Sequence, residues 1–127
     1  METSLKVLDH FSNPCNVGVL NKNDQMVGTG ITGNSLSNTF IQIQIKIDPT
    51  TNFIEDAKFK AHGCPYTIAA CSFSAKYLIG QHFRDALLIT HSQISDELSL
   101  PSTRLYCSII VEDAIKLAVA DYLNRNP

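Results

Sequence analysis

The spacing of apolar residues along this 127-residue chain switches between helical and alternating patterns, and the switches outline its elements. Leu5, Leu8 and Phe11 recur at helical spacing, which predicts a short helix closed by Asn13-Pro14. A polar, loop-like stretch follows at Asn21 to Asp24. From Thr39 to Ile47 the spacing becomes strict alternation. Ile41, Ile43, Ile45 and Ile47 take one face, and Gln42, Gln44 and Lys46 take the other. That is the pattern of a half-buried strand, and the β-branched residues favour it. Asp48-Pro49-Thr50 reads as a turn into a second strand, with Phe53, Ala57, Phe59 and Ala61 facing one way and Asp56, Lys58 and Lys60 the other. Two alternating runs around one turn predict an antiparallel hairpin covered on one face.

The remainder reads as helix. Pro65 suits a first helical position and Gly80 a stop; a short helix is expected around Phe83 to Leu88. The last segment, Thr103 to Leu123, is apolar along its length, starts after Pro101-Ser102, and places Glu112 and Lys116 as an i,i+4 pair. Strands followed by helices predict an α+β fold, with helices on one face of a small antiparallel sheet. Residues 1–127 read as a single domain, with no linker or repeat.

Composition narrows the function. Apolar residues make up 44% and charged residues 17%, an ordinary globular balance for a chain able to form a core without disulfides. A formal net charge of −2 provides no footprint for nucleic acid or an anionic membrane. No apolar run is long enough to span a bilayer, and the N-terminus has neither an apolar signal region nor an arginine before Arg84. A cytoplasmic protein, or a mature organelle matrix protein, is expected.

Four cysteines, Cys15, Cys64, Cys71 and Cys107, carry the candidate chemistry. Their wide spacing resembles neither a disulfide framework nor a zinc ribbon. Cys64 stands in His62-Gly63-Cys64-Pro65, where a strand hands over to a helix whose unpaired amides favour a thiolate. It reads either as a metal ligand or reactive thiol or as a small N-terminal filler. Cys107 falls near the start of the last helix on a face with Ile110, Ala114 and Leu117, so core packing competes with reactivity there. Cys71 lies two turns beyond Cys64, roughly 10 Å along the axis, and reads as core. Cys15 reads as incidental, and His10, His82 and His91 as scattered polar residues. Gly28, Gly30 and Gly33 lack the spacing of a phosphate loop.

The run Lys6-Val-Leu-Asp-His-Phe-Ser-Asn-Pro-Cys-Asn-Val-Gly18 resembles the V-x-D-H-[FY]-x-N-P-R-N-V-G opening of IscU/NifU-N iron–sulfur cluster scaffolds. The resemblance continues through Asn23-Asp24, Val27 to Gly30, Ile45 to Asp48, Ile54 to Lys60, Gly63-Cys64, and Cys107 to Lys116. It implies a small three-stranded antiparallel sheet with helices on one face. It also implies a [2Fe–2S] cluster or iron held by three cysteines, an aspartate and a histidine, sulfur from a cysteine desulfurase, and a chaperone pair that receives the product. Aligned on this pattern, Cys64 and Cys107 keep two cysteine positions, with Cys107 at the sulfur-accepting one. Ser37, Thr39 and Tyr106 stand where the remaining cysteine, the aspartate and the histidine belong. Hydroxyls are poor substitutes for thiolate or carboxylate. The chaperone-recognition stretch, L-P-P-V-K in the family, reads Leu100-Pro101-Ser102-Thr103-Arg104. His62, two residues from Cys64 on an extended segment, is a candidate replacement ligand.

Three functions compete. The chain is an atypical scaffold, its cluster bridged by Cys64 and Cys107 from each chain of a homodimer; or a sulfur acceptor; or a cofactor-free pseudo-scaffold that regulates the desulfurase or the chaperone. Bound zinc is a variant of each. Nothing points to an independent enzyme.

Overall fold

The isoleucines at 41, 43, 45 and 47 form the inner face of the central strand β2 (Thr39–Ile47), and all four are fully buried. In this computed structural model, which describes residues 4–127, β2 pairs antiparallel with β1 (Val27–Asn34) and β3 (Ile54–His62), in the order β1-β2-β3. Burying each isoleucine stabilises the fold by about 1.5–3 kcal/mol. Their cover is supplied by α2 (Pro65–Leu78) and α5 (Leu105–Arg125), which lie over β3 and over β1–β2 respectively. The expected α+β architecture, with three antiparallel strands and packed helices, is the one observed.

β1 went unrecognised because its glycines hide the alternation, and packing against α5 is the reason for them. A Cβ at Gly28 would overlap the carbonyl oxygen of Ala118, and one at Gly30 that of Ala114. The α5 backbone at Ala114 and Ala118 therefore rests directly on the β1 backbone.

Strand β3 departs from its expected phase. Lys46 pairs with Asp56 but Ile47 pairs with Ile54, so Glu55 is an extra residue, a β-bulge. The bulge turns Ile54 inward beside Ala57 and Phe59. Phe53, expected on the inner face, is instead 47% exposed and meets the His82 ring edge-on.

Helix α1 (Leu5–Ser12) forms where expected, but the Leu5–Leu8–Phe11 stripe faces outward, and Val7 is the buried residue. Polar anchors set this roll. The Ser4 hydroxyl donates to the Leu98 carbonyl at 2.6 Å, and His10 Nδ1 lies 2.7 Å from Ser72 Oγ. Val7 and His10, three residues apart, therefore share the face turned to the rest of the molecule.

Past α3 (Phe83–Ala86) the chain forms α4 (His91–Leu98), which has no counterpart in the sequence reading. Its start is a capping box between Thr90 and Gln93, and it buries Ile94 and Leu98. Glu112 of α5 accepts the His91 amide at 2.6 Å and the Lys116 ammonium at 3.0 Å, tying α4 to α5. A single 3₁₀ turn, Ser102–Arg104, leads into α5. On α5 the inward positions near Cys107 are Val111, Ala114 and Ala118. Leu117, expected on that face, is 48% exposed, and Ile110 is partly buried.

Candidate functional site

Two helix beginnings meet at one end of the sheet, and each carries a cysteine. β3 ends at His62, and Cys64 is the N-cap of α2, with Pro65 at the first helical position. Cys107 occupies the first turn of α5 and is fully buried, whereas Cys64 is partly exposed. Their sulfurs lie 3.8 Å apart as free thiols, 43 residues apart in sequence.

Thr67 completes this arrangement, and the sequence reading passed over it. Its side chain is fully buried; Oγ1 donates to Cys107 Sγ at 3.3 Å and lies 3.5 Å from Cys64 Sγ. The available signal was its position three residues after Cys64, on the same face of α2.

The two thiols are electrostatically unlike. Burial raises the pKa of Cys64. The Thr67 hydroxyl and amide, the Cys107 thiol and the Tyr66 amide oppose burial together, and the net shift is downward. Cys107 is pushed up to about 11, chiefly by burial and also by the neighbouring Cys64 charge, against the Thr67 hydrogen bond. Cys107 was the expected sulfur acceptor. The more accessible and more readily ionised sulfur is that of Cys64.

The remaining expected site residues separate into groups. The β1–β2 hairpin carries Ser37 and Thr39 at the same end of the sheet, since Phe40 pairs with His62. Ser37 Oγ and Thr39 Oγ1 lie 2.9 Å from each other, and Ser37 is exposed while Thr39 is buried. His62 Nε2 lies 3.2 Å from Asn38 Nδ2. Among the described residues no three His, Cys, Asp or Glu side chains are grouped to hold one metal ion, and His62 is not grouped with the cysteine pair. Tyr106 interacts with Arg104, whose Nη1 is 3.3 Å from the phenol oxygen, and the guanidinium also lies over the Tyr66 ring at 5.4 Å. Leu100 to Arg104 form the link between α4 and α5, with Ser102 and Thr103 exposed. Cys71 is fully buried in the core and its thiol is pushed strongly up by burial, as a packing residue's would be. Cys15 donates its amide to Ser72 Oγ.

What this arrangement can do chemically is bounded by its donors: two soft sulfurs in contact, with the Thr67 hydroxyl beside them. The sequence of this chain matches the family model described as the NifU-like N-terminal domain over residues 2–127. It is 48% identical over 122 residues to the iron–sulfur cluster assembly scaffold protein IscU of Haemophilus influenzae, covering 96% of both chains. It is 42% identical to the protein of that name from Azotobacter vinelandii, covering 98% of this chain and 97% of the relative. A mitochondrial iron–sulfur cluster assembly protein 1 of Debaryomyces hansenii is 46% identical over 94% of this chain and 67% of the longer relative. In fold, the chain is similar to the N-terminal part of a NifU-like protein from Brucella abortus, with a TM-score of 0.70 at 15% identity over 95% of this chain and 94% of that one. The extent of the family match, together with paired thiols at the meeting point of two helix starts, leads to one conclusion: the chain belongs to the NifU-like N-terminal domain family, alongside the IscU scaffolds.

Proposed function

We propose that this protein works in iron–sulfur cluster assembly as a scaffold-like partner of a cysteine desulfurase, with Cys64 and Cys107 as its sulfur-bearing residues. The observation that carries this reading is the 3.8 Å approach of two sulfurs from helices distant in sequence, at the end of a NifU-like fold. Soft thiolates suit iron and sulfide. With two thiolates per chain, a [2Fe–2S] cargo that needs four is filled when two chains each contribute Cys64 and Cys107, which makes a homodimer the cluster-bearing form. Zinc would meet the same shortage, since structural sites take four protein ligands. Reduced thiols are required throughout, consistent with a cytosol or an organelle matrix. Among the described residues no helix is long and apolar enough to cross a membrane.

The test is anaerobic reconstitution with ferrous iron, L-cysteine and a catalytic amount of cysteine desulfurase, followed by visible spectroscopy, metal analysis and size-exclusion chromatography. The expected outcome is a cluster spectrum in the dimer fraction, chelator-labile iron in the monomer, and loss of both in Cys64→Ser and in Cys107→Ser. If the wild-type chain takes up neither iron nor sulfur, the reading fails. The exposed Ser37 hydroxyl and the absence of a grouped ligand set among the described residues then favour a cofactor-free regulator of the desulfurase or the chaperone pair.

A further inference from the structure

We propose that the Cys64–Cys107 pair releases sulfide: Cys64 accepts a sulfane sulfur, and Cys107 displaces it as hydrosulfide by closing a Cys64–Cys107 disulfide. The proposal rests on the reading of this protein as a sulfur-accepting assembly partner, and adds what becomes of the sulfur.

Three structural observations define the reaction. The two sulfurs are 3.8 Å apart, close to van der Waals contact, so bond formation needs only small side-chain rotations. Access is one-sided. Cys64 is partly exposed at the N-cap of α2, while Cys107 is fully buried behind it, so an incoming donor reaches Cys64 first. Thr67, fully buried, donates its hydroxyl to Cys107 Sγ at 3.3 Å and holds that sulfur against Cys64. The other thiols do not compete: Cys71 is sealed in the core, and Cys15 lies beside Ser72, to which its amide donates.

In the first step, the Cys64 thiolate attacks the terminal sulfur of a donor persulfide. The donor's own S–S bond breaks, the donor leaves as a thiolate, and Cys64 becomes a persulfide. In the second step, Cys107 sulfur attacks Cys64 Sγ, the bond from Sγ to the terminal sulfur breaks, and the Cys107 proton passes to the departing sulfur, which leaves as HS⁻. The sulfane sulfur is reduced by two electrons and the two cysteines are oxidised to a disulfide, so no further oxidant or reductant is consumed. Return to the dithiol state is thiol–disulfide exchange with a small thiol or a dithiol reductant of the compartment. Three cluster ligands replaced by hydroxyl residues do not impair this chemistry, because it needs only the pair.

The experiment uses the full chain. A cysteine desulfurase is charged with its persulfide, freed of cysteine by desalting, and mixed anaerobically with the reduced protein without added thiol. Sulfide is trapped with monobromobimane, and the chain is analysed by intact mass and peptide mapping. The expected result is hydrosulfide in one-to-one ratio with a Cys64–Cys107 crosslink, seen as a mass loss of two hydrogens. Cys107→Ser should instead keep the sulfur as a persulfide on Cys64 and release no sulfide above background. Cys107→Ala, checked by circular dichroism, repeats the result without a hydroxyl. Cys64→Ser should show neither persulfide nor crosslink at the pair. If the wild-type chain holds a lasting persulfide with no crosslink, the inference is overturned while the sulfur-accepting reading stands. If it takes up no sulfur in any form, both fall. If Cys107 carries the persulfide in Cys64→Ser as fast as in wild type, the assigned order of the two cysteines is overturned.

Discussion

The two sides of the candidate site are built differently. On the helix side, Cys64 and Cys107 are fixed by the N-termini of α2 and α5, backed by the core and linked through a buried threonine. On the hairpin side, Ser37 and Thr39 sit in a turn and satisfy each other. The helix side holds its two sulfurs in contact on rigid elements. The hairpin side offers only hydroxyls, in a turn where Ser37 and Thr39 lie against each other. The proposed chemistry therefore rests on the side built into the core.

The largest expected effect compares thiols within the helix side. Iodoacetamide at neutral pH should label Cys64 first and Cys71 last, with the Cys71 rate suppressed at least about a thousandfold, because its reaction waits for unfolding. Quantitative peptide mapping over a pH series checks this. Since the Cys64 thiol pKa lies below the usual value, its labelling should reach a plateau at lower pH than that of an unfolded control. Equal rates for Cys64 and Cys71 would remove the distinction between site and core.

The next test attacks the support of the helix side from a distance. Gly30→Ala places a methyl group against the Ala114 carbonyl and should cost about 3 kcal/mol in urea unfolding. Its refolded form should also show slower disulfide closure between Cys64 and Cys107.

The hairpin side can be sharpened by restoration. The double variant Ser37→Cys, Thr39→Asp should raise iron retention against a chelator by at least about tenfold, the lower end of what even an outer-shell partner contributes at metal sites. Metal analysis after chelator challenge measures it. An unchanged value would mean that positions 37 and 39 do not converge with the cysteine pair.

The smallest effect concerns the tie between α4 and α5. Burial raises the Glu112 pKa, but Lys116 and the His91 amide and ring outweigh it and hold the carboxyl below its usual value. Stability from such a group is fully present above its unfolded pKa and is lost as pH falls through the lower, folded one. Glu112→Gln should therefore cost about 1 kcal/mol at pH 7, and the difference from wild type should vanish in acid. Denaturant titrations at the two pH values decide it.

The same contrast explains what could be read from the sequence. β2 is legible because burial of one face imposes a regular spacing, as the four isoleucines show, whereas α2 and α5 are legible from their boundaries, Pro65 and Gly80 for one and Pro101-Ser102 for the other. β1 was not, because its inward positions are glycines chosen by the α5 backbone, a partner over 80 residues away. Phe53 was misjudged because one extra residue at Glu55 reverses the phase of β3, and neither residue type announces it. The roll of α1 was hidden because Ser4 and His10 fix it, outweighing the apolar stripe. For α4, the signals are the Thr90–Gln93 capping box and the Ile94–Leu98 spacing, too short a pattern to stand out from the polar residues around it. At the site, the resemblance pointed to Cys64 and Cys107, but Thr67 and the inequality of the two thiols depend on three-dimensional contacts that no spacing rule encodes.

The glycine seam has a mechanical consequence. Packed helices usually slide over a sheet by small rearrangements in the layer of side chains between them. At Gly28 and Gly30 that layer is missing, and the α5 carbonyls bear on the β1 backbone itself. A load applied at the Cys107 end of α5 is thus passed to the sheet as to a rigid beam. Displacement of this end of α5 therefore moves helix and sheet together.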